Sequence, residues 1–81
     1  MSPENFDSVV TVMLERQPFR AFTIKLKTGD LVEIDHFKAL HLIGDVAVFT
    51  APGKIAVMFD SDSVVQVIDA PATDVPNRTA G

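Results

Sequence analysis

Residues 22–35 read Phe-Thr-Ile-Lys-Leu-Lys-Thr-Gly-Asp-Leu-Val-Glu-Ile-Asp. Phe22, Ile24 and Leu26 alternate with Thr23, Lys25 and Lys27, and a period of two is the mark of a half-buried strand. Thr28-Gly29-Asp30 has turn chemistry, and the chain returns from Leu31 to Asp35. Side-chain parity selects the connection. A three-residue loop over 28–30 pairs Leu26 with Val32 and Ile24 with Ile34 on one face, and Lys25 with Glu33 on the other. A two-residue loop would place Glu33 among the apolar residues.

A second hairpin is expected downstream. Val46-Ala-Val-Phe-Thr-Ala51 and Lys54-Ile-Ala-Val-Met-Phe59 flank Pro52-Gly53. A two-residue turn there puts Val46, Val48, Thr50, Ile55, Val57 and Phe59 on one face. Ala47, Phe49, Ala51, Lys54, Ala56 and Met58 then share the other. Both faces are largely apolar, unlike an antiparallel pair with one solvated side. Between the hairpins, residues 36–45 read as a turn or helical corner followed by a brief strand ending at Gly44-Asp45. Asp60-Ser-Asp-Ser63 is a polar corner, and Val64 to Asp69 is the last strand. The expected core is Ile24, Leu26, Val48, Ile55, Val57 and Phe59.

Upstream, residues 1–17 read as a helix. Ser2 is a capping residue, Pro3 suits the first helical position, and Glu4 and Asp7 favour the positive end of the dipole. Phe6, Val9, Val10, Met13 and Leu14 share a face that Val12 widens to an arc of about 200°, against about 100° for an ordinary surface helix. Pro18 ends it. Residues 18–69 carry the strands. Residues 70–81 contain two prolines and a single bulky apolar residue, Val75, and read as a flexible tail.

The whole chain has 81 residues and a net charge of −4 from 7 basic and 11 acidic side chains, with no Cys, Trp or Tyr. That length allows one domain with a small core. The lack of Cys removes disulfides, thiolate metal ligands and thiol nucleophiles. Glu4 and Asp7 stand where a secretory leader would be basic, and no apolar run is long enough to span a bilayer, so the expectation is a cytoplasmic protein without a membrane partner. One helix and about five short antiparallel strands leave two sheet edges unless the sheet closes. The expected fold is therefore mainly β, a small five-stranded antiparallel barrel carrying an N-terminal helix.

Two resemblances bear on this layout. Residues 16–30, Arg-Gln-Pro-Phe-Arg-Ala-Phe-Thr-Ile-Lys-Leu-Lys-Thr-Gly-Asp, resemble the opening of a family of small bacterial proteins with no assigned activity. That family follows a short helix with Q-P-F-R-P-F, a strand, a D-G-R turn and a V-x-H-P-E-F segment, and closes on a strand reading I-I-D. Here Ala21 replaces the second proline, Ile34-Asp35-His36-Phe37-Lys38 lacks the third, and Val67-Ile68-Asp69 closes the chain. The layout of helix, strands and polar corner also resembles SH3-like and Sm-like barrels of the Hfq type, with Ile24 to Gly29 similar to the first strand and Val57-Met58-Phe59 to the fourth. The Sm-like resemblance implies an RNA-binding ring. Where such proteins place Tyr-Lys-His against RNA, this chain has Phe59-Asp60-Ser61 and then Asp62.

The residues themselves offer little catalytic chemistry. Asp35, His36 and His41 form the one cluster of metal-ligand character. His36 and His41 would sit about 140° apart on a helix, or on opposite faces of a strand, so they do not converge. Asp60 and Asp62 have the spacing of a calcium loop but lack its glycine and distal glutamate. Asn77-Arg78-Thr79 fits a glycosylation pattern that means little without a secretory leader. No enzyme, cofactor or metal is expected. Arg16, Arg20, Lys25 and Lys27 are the only basic group a phosphate backbone could use, in an acidic chain without Tyr or Trp platforms, so nucleic acid is the weaker reading. Phe19 and Phe22 are expected to anchor the helix on the barrel. The favoured reading is a protein-interaction or self-assembly module, a homo-oligomer joined through Val12 of the helix and Ala47, Phe49, Ala56 and Met58 of the hairpin.

Overall fold

The computed structural model describes residues 1–51, 53 and 55–75. The turn residues Pro52 and Lys54, the Asn77-Arg78-Thr79 pattern and the rest of the expected tail from 76 onward lie outside the described residues. The fold is mainly β with one N-terminal helix. Helix α1 (Pro3–Glu15) is followed by strands β1 (Phe22–Leu26), β2 (Leu31–Ile34), β3 (Leu40–Ile43), β4 (Val46–Ala51), β5 (Ile55–Asp60) and β6 (Val64–Ile68). Two antiparallel three-stranded sheets result, ordered β2-β1-β6 and β3-β4-β5. Six strands in two sheets thus replace the expected five-stranded barrel, and among the described residues no ladder joins the sheets. The division falls at the turn after β2, where the N–H of Ala39 donates to the carbonyl of His36 at 2.9 Å and redirects the chain into β3. Among the described residues no helix is long and apolar enough to cross a membrane.

Helix α1 starts as its sequence dictates. The Ser2 hydroxyl accepts the Asn5 N–H at 3.2 Å, satisfying one of the free donors of the first turn. Its buried stripe is narrower than the apolar arc: Phe6 and Val10 are buried, while Val9, Met13 and Leu14 are half-buried. Val12 is exposed, so the helix buries one side only.

The first hairpin keeps the expected parity and shifts its loop. Ile24 faces Val32 and Phe22 faces Ile34, two residues from the expected register. The N–H of Gly29 donates to the Leu26 carbonyl and that of Leu26 to the Asp30 carbonyl, both at 2.9 Å. The loop is therefore Lys27-Thr28-Gly29, with Gly29 last at φ +95°. That is the position where a three-residue hairpin loop needs a left-handed backbone, which glycine adopts without a Cβ clash. Lys25 consequently faces Leu31, not Glu33.

In the second hairpin the parity itself changes. Ala47 pairs with Phe59, Phe49 with Val57 and Ala51 with Ile55, which requires a three-residue connection instead of two. Ala47 (0% exposed), Phe49 (9%) and Phe59 thereby enter the core beside the half-buried Val57. Val46, Val48, Thr50, Ala56 and Met58 turn outward. The physical reason is aromatic burial: only this register sends both Phe49 and Phe59 to the same side. Of the expected core, Ile24 and Phe59 are buried, Leu26 and Val57 pack at its border, Val48 is half-buried, and Ile55 is 64% exposed.

The two sheets differ on their outer sides. Residues 70–75 lie across the outer face of β2-β1-β6. The Thr23 hydroxyl donates to the Ala70 carbonyl at 2.8 Å, and the Ala72 N–H donates to Glu33 Oε2 at 3.3 Å. Thr23 is fully buried as a result. Nothing comparable covers the outer face of β3-β4-β5 among the described residues. A pair of substitutions tests the assigned parity. Phe49→Ala is expected to lower the unfolding free energy by about 3–5 kcal/mol. At a protein concentration low enough to keep the chain monomeric, Met58→Ser is expected to change it by less than about 0.5 kcal/mol. Urea titration of both variants gives the comparison, and reversed magnitudes would mean the opposite face is buried.

Candidate functional site

Of the exposed large apolar residues, Ile43, Val46, Ile55 and Met58 belong to β3-β4-β5, and Leu31 and Val65 to the other sheet. Strand parity places His41 and Ile43 of β3, Val46, Val48 and Thr50 of β4, and Ala56 and Met58 of β5 on the outer face. His41, Val48 and Met58 form one row across the three strands, and Ile43 and Val46 begin the next, which ends at Asp60. Ile43 and Met58 are each 67% exposed, and Val46 is 36% exposed. Ile43 and Val46 are direct cross-strand neighbours and Met58 is diagonal to Val46, so the three form one exposed apolar group. Beside them runs β5, an edge strand whose residues 55–59 include no charge and no proline. Charge, proline and bulges are the usual devices that keep a free edge from pairing with another strand.

Of the residues expected at an oligomer surface, Ala56, Met58 and Val12 are exposed. Ala47 and Phe49 belong to the core, because the hairpin register is one residue from the expected one. Ile43 and Val46 take their place on the outer face. The signal that could have found them is the third strand, whose Leu40 and Leu42 point inward only if His41 and Ile43 point out.

The basic residues separate into two groups. Arg16 Nη2 lies 2.7 Å from Asp69 Oδ1 and also donates to the Arg20 carbonyl at 3.1 Å. Arg20 Nη2 stands 3.6 Å from the other Asp69 oxygen. The Arg16 side chain is only 17% exposed, and its Nε is buried without a hydrogen-bond partner. Lys25 and Lys27 lie toward the far end of β1, so the four cations do not form one phosphate-binding face. The arginines instead tie the end of α1 and the segment after it to the end of β6. The Arg16 hydrogen bond holds the Asp69 carboxyl below its ordinary value of 3.8, outweighing the opposing effect of desolvation, and the charges of Arg16 and Arg20 add to it.

The remaining candidates have structural roles. Phe19 meets Phe22 edge-on at 6.3 Å between ring centres, in keeping with its expected part as an anchor. His36 stacks on Phe37 at 4.9 Å, and its Nδ1 accepts the Lys38 N–H at 3.0 Å. Asp60 Oδ1 accepts both the N–H and the hydroxyl of Ser63, capping the turn of 3₁₀ helix η1 (Ser61–Ser63) that leads into β6. Among the described residues no three His, Asp or Glu side chains converge as a metal site would require. No protein-family model, curated protein or solved structure matches this chain.

The Asp69 contacts generate a pH prediction. The folded-state pKa lies below 3.8, so the stabilisation is fully present above that pH and is lost as pH falls through the folded value. Asp69→Asn is expected to be less stable than the parent at pH 7. Urea midpoints of the two proteins should converge as the solution is acidified below pH 3.8. A gap that stays constant down to pH 2 (about two units lower) would contradict the ion-pair origin.

Proposed function

We propose that this chain is a non-enzymatic interaction module that assembles with copies of itself through the outer face of β3-β4-β5 and the free edge of β5. The observation that carries the reading is the exposure of Ile43, Val46 and Met58 on one sheet face beside an edge strand that is uncharged from Ile55 to Phe59. Association would remove that surface from water at about 25 cal/mol per Å² of apolar area. It would also enlarge the core of a small domain. The finer architecture we propose is an open variant of the SH3-like or Sm-like barrel. Its support is the passage of the chain from β5 through η1 directly into β6, which carries it from one sheet to the other. Membership of the Q-P-F-R-P-F family is part of the same proposal. It is supported by the meeting of Arg20 from that motif with Asp69 from the closing Ile-Asp pair.

The second reading, an Sm-like RNA-binding ring, has Lys25 and Lys27 in its favour, since neither is in an ion pair among the described residues. Against it stand the net charge of −4 and the commitment of Arg16 and Arg20 to Asp69. Filter binding with U-rich and A-rich oligonucleotides is expected to give dissociation constants of about 10⁻⁵ M or weaker at physiological salt. Nanomolar binding would favour the ring reading.

Sedimentation equilibrium tests the assembly. The parent at tens of micromolar is expected to exceed the 8.8 kDa of one chain. Met58→Glu is expected to sediment as a single chain that stays folded, because its site is exposed, and its melting temperature should no longer rise with protein concentration. A monodisperse 8.8 kDa parent would overturn the proposal.

A further inference from the structure

We infer that a second surface, the trough between α1 and the free edge of β3, binds an extended segment of a partner protein carrying basic side chains and an apolar anchor. This goes beyond self-assembly and uses the opposite edge of the same sheet. Two grooves of about 550 and 430 Å³ meet at Leu14 and Glu15. One runs between Asp7, Thr11 and Leu14 of the helix and Leu40 and Leu42 of β3. The other continues past the end of the helix to Phe19 and Phe37. From Asp7 to Glu15 the helix covers about 12 Å at 1.5 Å per residue. An extended segment of about four residues spans that length.

The strand edge supplies the first reason for an extended occupant. Among the described residues, β4 is the only ladder partner of β3. Leu40, His41 and Leu42 of β3 line the trough, and an added strand would pair with the outward N–H and C=O groups that any edge strand carries.

Charge supplies the second. Asp7 and Glu15 face the trough, and among the described residues neither is in an ion pair. Thr11 donates to Asp7 Oδ1 at 3.0 Å, a neutral contact that leaves the carboxylate charge in place. The last turn of α1 has no basic residue, so the negative end of its dipole stands uncompensated beside Glu15. Arg16, next in sequence, has its guanidinium turned onto Asp69. Among the described residues, Asp7 and Glu15 are thus the charges along the trough without an ion pair, while Arg16, which lines the second groove, is already paired with Asp69, so a basic partner complements the trough.

The aromatic end sets the direction. Phe37 is 49% exposed, with its ring centre 6.5 Å from that of Phe19. The Lys38 ammonium sits 5.8 Å from the Phe37 ring centre and disfavours a second cation there. The partner's apolar or aromatic side chain belongs on Phe19 and Phe37, and its basic side chains belong along Asp7 and Glu15.

A random decapeptide library displayed on phage and selected on the full chain tests this. The expected consensus alternates Lys or Arg with apolar residues and carries an apolar residue at one end. The synthetic consensus peptide should slow hydrogen exchange at Leu40 to Ile43. Glu15→Lys should weaken its binding by about tenfold or more, with Glu15→Gln intermediate. Glu15 is exposed, so both variants should melt like the parent. An unenriched library, an acidic or uncharged consensus, or protection at Ile55 to Asp60 instead would overturn the inference. In Met58→Glu, which keeps the outer face from self-assembling, protection of Leu40 to Ile43 that grows with protein concentration in the absence of peptide would assign the trough to a second copy and equally overturn it. Neither result depends on whether β5 mediates assembly.

Discussion

The packing of Phe6 against Phe59, edge-on with ring centres 6.3 Å apart, is the contact on which the architecture depends. Two three-stranded sheets, each apolar on its inner side, cannot both be dry in a chain of 81 residues unless they share one core. Helix α1 makes that possible by placing Phe6 and Val10 in the same cluster as Ile24 and Ile34 from one sheet and Leu40, Phe49 and Phe59 from the other. The aromatic pair joins the helix to β5, which among the described residues has a ladder on one side only. Arg16 and Arg20 secure the other end of the helix through Asp69. The helix is therefore part of the core itself, and its apolar stripe is spent inside the chain.

That expenditure shapes the outside. With α1 committed to the inner faces, and residues 70–75 held over Thr23 and Glu33 on the outer face of β2-β1-β6, the outer face of β3-β4-β5 has no comparable cover among the described residues. The same commitment leaves β3 beside a trough, because the helix approaches its edge without adding a strand to it. The sheet thus presents two unlike surfaces. One is an apolar face beside the β5 edge, uncharged from Ile55 to Phe59, which we propose meets a copy of itself. The other is an acidic, partly aromatic channel at β3, suited to a basic segment.

Much of this was legible in the sequence where a pattern had a single solution. Residues 22–35 alternate so strictly that the buried side of β1 and β2 follows from parity, and Ser2-Pro3 marks the start of α1. The loop was displaced because Thr28-Gly29-Asp30 looks like a turn, whereas the backbone needs glycine last, at φ +95°. The hairpin from Val46 to Phe59 is apolar on both faces, so parity had two solutions there. The presence of Phe49 and Phe59 on one face is what separates them. Asp69 was hidden as a partner of Arg16 and Arg20 because an ion pair distant in sequence leaves no local periodicity. The cover formed by residues 70–75 was hidden for a related reason. It is held by Thr23 and Glu33 through backbone groups, and apolar content does not report such contacts.

The central claim is that the uncovered face and edge of β3-β4-β5 serve self-assembly. Hydrogen exchange of the amides of Ile55 to Met58, followed as protein concentration is raised from about 1 to 100 μM, tests it most directly, since edge amides that gain a partner exchange more slowly. The account predicts protection in β5 that increases with concentration while Phe22 to Leu26, already paired on both sides, stay unchanged. Exchange in β5 that is fast and independent of concentration would contradict it.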